Sequence, residues 1–229
     1  MGKKSLKNLK WKMNILKKIN SNKIKIGIVG LGYVGLPLLL GFGRKGLNVI
    51  GFDIDKKKIN MLKLGKSYIN HIKLDNIHKK KKIKFTDNFA LISEVDLIVL
   101  CVPTPLSKNK LPDLSYIKET LLSINDHLRE YQTLSLESTT YPGTTREIIY
   151  PIIKKKFIVG KNFYLVYSPE REDPGRKDIL LKNIPKVLGG FSKKCRIIGK
   201  SFYQKLFKQI VLTKNLETAE FTKIYENVF

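Results

Sequence analysis

Hydrophobic positions along the chain fall into short blocks of two kinds, which alternate. Ile24 to Val29 is β-branched and apolar, as a strand buried on both faces requires. Asn48 to Phe52, Val95 to Val102, Thr133 to Leu136, Phe163 to Tyr167 and Ile210 to Leu212 also read as strands, with a short one at Val187 and Leu188. Between them, helical patterns run over Leu36 to Phe42, Lys56 to Leu64, Leu114 to Arg129, Thr145 to Lys155, Ser192 to Phe207, and from Leu216 to the end. Pro103 and Pro105 stop the strand at 95–102, because proline cannot donate to a central ladder. The lysines of 79–84 predict a solvated loop or a strand edge. Strands alternating with helices call for an α/β fold, a doubly wound and mostly parallel sheet with helices on both faces.

Residues 1–23 stand apart. They are rich in lysine and lack acidic residues, and Leu6, Leu9, Met13 and Leu16 recur at helical spacing. A basic amphipathic helix acting as a surface anchor is one reading. The reading adopted is a solvated, partly disordered extension ahead of a domain over 24–213. No apolar run approaches the roughly 18 residues that cross a bilayer, so a soluble cytoplasmic chain without stable membrane association is expected.

Charge changes this picture little. The 229 residues carry 44 Lys plus Arg against 19 Asp plus Glu, a formal +25. Such a balance raises nucleic acid as a partner. Lysine far outnumbers arginine, however, and Ile and Asn are frequent, the mixture an AT-biased coding sequence gives; with no nucleic-acid motif, no nucleic-acid partner is expected. Cys101 and Cys195 are far apart and lack CxxC spacing, which argues against a disulfide framework or zinc site and fits a reducing cytosol. Cys101 ends an apolar strand and reads as a small buried hydrophobe, whereas Cys195, on a helix behind two lysines, reads as exposed. His71, His78 and His127 form no ligand pair, so no metal is expected.

The candidate chemistry begins at Gly30-Leu31-Gly32-Tyr33-Val34-Gly35. GxGxxG alone is a weak signal, but here a strand precedes it, a helix follows, and Asp53 ends the next strand. Gly30 makes the tight turn, Gly32 lets the backbone approach a pyrophosphate, and Gly35 lets helix and strand pack. The amides of Tyr33 and Val34 belong to the helix start that faces the phosphates. Asp53 can accept hydrogen bonds from ribose hydroxyls, favouring NAD over NADP, and Lys58 lies near enough to bear on that choice. Other polar groups follow other strands: Thr104 after 95–102, Ser138-Thr139-Thr140 after 133–136, and Ser168 to Glu172 after 163–167. Each is by itself an ordinary cap or turn residue. Together they describe a polar cleft along the carboxyl edge of the sheet, with hydroxyls to hold a cofactor or water and a carboxylate to act as base.

Five ordered segments carry a resemblance: IGIVGLGYVGLPL at 26–38, CVPTPL at 101–106, LESTTYPGTT at 136–145, YSPEREDPG at 167–175 and TAEFTKIYENVF at 218–229. In this order they resemble the UDP-glucose/GDP-mannose dehydrogenase family, within it most the UDP-N-acetylglucosamine 6-dehydrogenases. The resemblance implies a Rossmann NAD-binding domain over 24–213 and the start of the family's long central helix at 214–229. It implies oxidation of a UDP-sugar C6 alcohol to a carboxylate with NAD, through a thioester on a cysteine of a second domain. It further implies that Thr139 and Glu170 position or activate water, that Thr104 and Thr139 help hold the cofactor, and that Lys223 and Asn227, one helical turn apart, stabilise a developing oxyanion.

Cys101 and Cys195 match no nucleophile motif, and the sequence ends inside a helical pattern without a stop signal. The expectation is a chain that binds NAD, is inactive alone, exposes an apolar face on its last helix, and needs a complementing C-terminal half, or as a full-length protein forms a homo-oligomer.

Overall fold

The computed structural model describes residues 15–74, 76, 80–106, 112–170 and 185–228. Its core is an eight-stranded sheet in the order β3-β2-β1-β4-β5-β6-β7-β8. The strands are β1 Lys25–Val29, β2 Asn48–Phe52, β3 Ile83–Thr86, β4 Leu97–Leu100, β5 Thr133–Leu136, β6 Tyr164–Tyr167, β7 Lys186–Gly190 and β8 Ile210–Leu212. Every neighbouring pair is parallel except β6 and β7. The strand order reverses between β1 and β4, from which the crossovers run outward in opposite directions, and a crevice opens at that switch.

The helices are α1 (residues 15–20), α2 Gly35–Arg44, α3 Lys56–Lys63, α4 Ser115–Asn125, α5 Tyr150–Ile153, α6 Lys193–Tyr203 and α7 Leu216–Val228. Side chains alternate across the sheet, as the strand period of two demands. Ile26, Ile28, Leu97 and Val99 pack with Leu36, Leu39 and Phe42 of α2 and Ile198 and Phe202 of α6. Val29, Ile98 and Leu100 face the other way, towards Ile117, Leu121 and Ile124 of α4 and Leu216 and Ala219 of α7. Polar side chains start several helices by accepting their first amides: Asp55 for α3, Ser192 for α6 and Asn215, from Thr218 N, for α7.

Three features differ from the sequence pattern, and a fourth decides between two readings of it. The solvated extension expected over 1–23 is, in its described part, a helix belonging to the core: Ile15 and Ile19 of α1 are buried, and Leu16 packs beside them. Lys18 Nζ donates to both carboxylate oxygens of the buried Asp96, at 2.7 and 2.8 Å. Asp96 Oδ1 also accepts from Arg129 and Oδ2 from the Lys25 amide, so one carboxylate ties α1, β1, β4 and the turn after α4. α4 ends at Asn125, short of the expected Arg129, whose guanidinium turns back to the carbonyls of Ser93 and Val95. Among the lysines of 79–84, Ile83 and Phe85 alternate with the exposed Lys84, making β3 an edge strand. The helix expected over 145–155 divides into a π-helical segment, Thr145–Ile149, and α5, because Pro151 has no amide hydrogen and crowds the preceding turn.

If α1 is part of the core, Ile19→Ala removes about 2–5 kcal/mol of stability, the range for truncating a large buried aliphatic. Urea unfolding monitored by circular dichroism reads this; an unmoved midpoint would return α1 to a solvated extension.

Candidate functional site

The residue after each central strand continues the parallel ladder into its neighbour. Gly30 N donates to Phe52 O, Asp53 N to Thr86 O, Cys101 N to Val29 O, Glu137 N to Leu100 O and Ser168 N to Leu136 O, at 2.8–3.2 Å. Five strand exits are thereby held on one edge, and the polar groups that follow them converge because the backbone pairing outlasts the strands.

The turn after β1 is set by sterics. Gly30 has φ +89°, and an added Cβ would lie 2.6 Å from Cys101 O. A Cβ on Gly35 would lie 1.9 Å from Gly30 O, so the start of α2 rests directly on the turn. Gly32 is the opposite case, for a Cβ there would meet no protein atom within 4 Å. No side chain caps α2, so the amides at its start have no side-chain partner. An open cradle of amides at a helix start fits a dinucleotide pyrophosphate.

Asp53 is buried; its Oδ2 accepts from Leu31 N and its Oδ1 from Asp55 N, each at 2.9 Å. Each oxygen retains a second lone pair for a ribose hydroxyl. Tyr68, which no sequence signal marked, donates its hydroxyl to Leu31 O and so holds the glycine turn from outside. Burial, with the nearby Asp53 and Asp55, keeps that hydroxyl protonated by raising its pKa. Lys58 lies over the Tyr68 ring at 5.6 Å and lines, with Asp53, Ile54, Phe89, Tyr116 and Thr120, the part of the crevice nearest β2.

The other part opens between β4, β5 and β6, as a cleft of about 340 Å³. Gly32, Tyr33, Val34, Thr104, Thr139, Glu170 and Lys223 all line it. Thr104 donates its hydroxyl to Thr139 O at 2.7 Å, joining the turns after β4 and β5. Tyr33 is exposed and stacks on His71, ring centroids 6.2 Å apart. Thus every one of these expected residues comes to the crevice. Asn227 lies in the last turn of α7, but its side chain is outside the described residues, as are Arg171 and Glu172.

The sequence reading missed a buried cluster at the cleft's floor. Lys186 Nζ donates to Glu137 Oε2 at 2.7 Å and to Pro169 O at 3.0 Å, and lies 3.6 Å from Glu170 Oε2. Tyr203 donates to Glu137 Oε1 at 2.5 Å, and its oxygen lies 2.7 Å from Ser135 Oγ. Burial pushes the Glu137 carboxyl up to about 7 against the pull of Lys186, while Glu170 raises it further. Burial disfavours the Lys186 ammonium, but Glu137 and Glu170 outweigh it and keep the amine protonated. Glu137 was readable as the residue following a strand, inside LEST; Lys186 was one lysine among many. Glu220 of α7 was missed too: its carboxylate accepts from Gly143 N at 2.6 Å and Thr145 N at 2.8 Å, fastening α7 to the turn beyond Thr139.

Both thiols are buried. For Cys101 this was expected, and burial raises its pKa well above the usual thiol value. Cys195, expected to be exposed, is fully buried, with its sulfur accepting from Leu165 N and Ser192 Oγ. It lies on the inner face of α6, which the flanking lysines did not reveal. Among the described residues there is no metal-ligating cluster, and no helix is long and apolar enough to cross a membrane.

A doubly wound sheet with a glycine turn, an acidic residue after β2 and a crevice at the switch defines a dinucleotide-binding domain of the Rossmann class. Residues 24–209 match the NAD binding domain of the UDP-glucose/GDP-mannose dehydrogenase family, and the chain belongs to that family. It is 34% identical over 209 residues to UDP-N-acetyl-D-glucosamine 6-dehydrogenase of Salmonella typhi, covering 90% of this chain and 49% of that protein. Its structure resembles that of UDP-D-ManNAc dehydrogenase from Pyrococcus horikoshii, with TM-score 0.84 and 32% identity over 90% of this chain and 50% of the other. The UDP-N-acetyl-mannosamine dehydrogenase Cap5O of Staphylococcus aureus is similar as well, with TM-score 0.81 and 32% identity over 89% and 51% of the two chains. The chain thus spans about half the length of the relatives it matches.

Two consequences are measurable. Gly32→Ala is expected to leave stability within about 0.5 kcal/mol of the original but to weaken NAD binding tenfold or more, about 1.4 kcal/mol. Gly35→Ala, driven into Gly30 O, costs roughly 1–3 kcal/mol of stability. Calorimetric NAD titration beside thermal melts separates the two. The second concerns pH. With Glu137 near 7 in the folded chain against an ordinary 4.5, the folded state holds a proton that the unfolded state releases in that window. The contribution of Glu137 to stability therefore falls as pH rises from about 4.5 to about 7. Glu137→Gln should flatten the pH dependence of the melting temperature over that interval; an unchanged profile counts against the assignment.

Proposed function

We propose that this chain supplies the cofactor-binding half of an NAD-dependent UDP-sugar 6-dehydrogenase acting on UDP-N-acetylglucosamine, in the cytoplasm, for envelope polysaccharide synthesis. The observation that carries the reading is the cleft at the strand switch, where Thr139, Glu170 and Lys223 share one wall system with the open Gly32 turn. Asp53 and the α2 amides would hold NAD, whose nicotinamide accepts hydride from the sugar carbon when bound. Glu170, buried but lining the cleft, would act as base or orient water, with the exposed Thr139 hydroxyl beside it. Lys223 would stabilise negative charge developing on the sugar oxygen, and Asn227, one turn further along α7, would add an amide donor.

The thioester chemistry implied by the resemblance requires an accessible thiol. Cys101 and Cys195 are buried, which supports a thiol contributed by a second polypeptide segment, either a complementing half or the remainder of a homo-oligomeric enzyme. Phe221 and Tyr225, exposed on α7, suit such a contact. The likeness to UDP-N-acetylmannosamine dehydrogenases supports a second reading in which that epimer is the sugar.

Nicotinamide reduction, followed by absorbance, tests the proposal with UDP-N-acetylglucosamine, UDP-N-acetylmannosamine and UDP-glucose in parallel. The chain alone is expected to bind NAD without turnover. Turnover should appear when the C-terminal half of a related dehydrogenase is added, and Lys223→Ala should lower it about 10²–10³-fold. Turnover by the chain alone would overturn the need for a second segment. NAD binding without turnover in any combination would leave a cofactor-binding remnant.

A further inference from the structure

Lys186 is almost wholly inaccessible, with 1% of its side chain exposed, yet it carries a charge. Buried ammonium groups are costly unless their donors are satisfied by anions and carbonyls. Here the partners come from three separate elements. Glu137 follows β5, Pro169 and Glu170 follow β6, and the aromatic rings of Tyr203 and Phe207 flank the ammonium at 5.6 and 5.3 Å. Glu137 and Glu170 both line the cleft, whereas Lys186 does not and lies between them.

We propose that Lys186 is a positioning residue whose ammonium, by gripping Glu137 and the Pro169 carbonyl, fixes Glu170 at the cleft and joins the two carboxylates into one coupled unit. The inference rests on the functional reading of the cleft, in which Glu170 touches the reacting group. Two carboxylates sharing one ammonium carry one net negative charge, so the unit can take a single proton from an alcohol or water in the cleft and hold it on either carboxylate.

The groups facing Glu137 are Lys186 from β7, Glu170 from the turn after β6, Tyr203 from α6, Ser135 within β5 and Cys101 at the end of β4. The tyrosine and the thiol are held neutral by burial and by Glu137 itself or its neighbours. Among the described residues, Lys186 and Glu170 are therefore the groups that bring full charges to Glu137. Those two act in opposite senses, which gives the proposal a signature that packing alone would not produce.

The test uses the full chain labelled with ¹³C at glutamate side-chain carboxyls, the Glu137 signal being assigned by its loss in Glu137→Gln. The Glu137 titration midpoint is then compared between the original chain, Glu170→Gln and Lys186→Met. Removing the like charge in Glu170→Gln should lower the midpoint, and removing the cation in Lys186→Met should raise it, each by about one pH unit or more. Lys186→Met leaves Glu137 able to protonate, so the fold need not carry an unpaired charge. If that variant nevertheless fails to fold, Glu170→Gln alone decides. A midpoint that ignores Glu170→Gln shows the carboxylates to be independent and overturns the proposal, as does a folded Lys186→Met chain with an unmoved midpoint. The readout needs no turnover: coupled midpoints without nicotinamide reduction even after the C-terminal half of a related dehydrogenase is added would sink the functional reading, and reduction in that assembly with uncoupled midpoints would sink only the positioning role.

Discussion

The site depends on one missing pair of carbons. Gly30 and Gly35 meet so closely that a Cβ on the second would overlap the carbonyl oxygen of the first. That approach seats α2 on the end of β1, and the same turn abuts the Cys101 backbone beyond β4. Helix, turn and neighbouring strand exit are thereby locked at the point where the strand order reverses. The crevice exists because the chain can come this near to itself in one place and, at Gly32, stays open in the next.

From that fixed point the rest of the edge follows by backbone pairing. Five consecutive strand exits donate to the strand beside them, so residues distant in sequence arrive at defined spacings. The side chains then reinforce what the ladder began. Thr104 holds the turn carrying Thr139, Tyr68 holds the glycine turn, and Glu220 pins α7 near the segment that follows β5. Lys223 reaches the cleft on a helix fastened at both its Asn215 cap and Glu220.

Much of this was legible in the sequence because it is local. Apolar blocks of strand length, a glycine turn and a hydroxyl or acid after each strand are patterns of adjacent residues, and each fell where the alternation put it. What stayed hidden depends on pairs far apart in sequence. Lys186 meets Glu137 across 49 positions and Lys18 meets Asp96 across 78, and nothing in a chain with 44 basic residues distinguishes the lysines that are buried or anchoring from those that are solvated. The same abundance concealed α1, whose lysines masked the apolar stripe of Ile15 and Ile19, and the inner face of α6, where Cys195 lies. The division of 145–155 was written in Pro151 and could have been read.

The burial of both cysteines carries an experimental consequence of a different kind. Cys101 follows β4 in the lining of the crevice, where burial raises its pKa, and Cys195 lies on the sheet-facing side of α6, so the folded domain holds both sulfurs in poorly reactive positions. An alkylating probe added to native protein should modify this polypeptide far more slowly than it modifies an accessible thiolate. In any assembly that regains turnover, a mass shift on a thiol would consequently identify which polypeptide contributed the nucleophile, without a single substitution having to be made here.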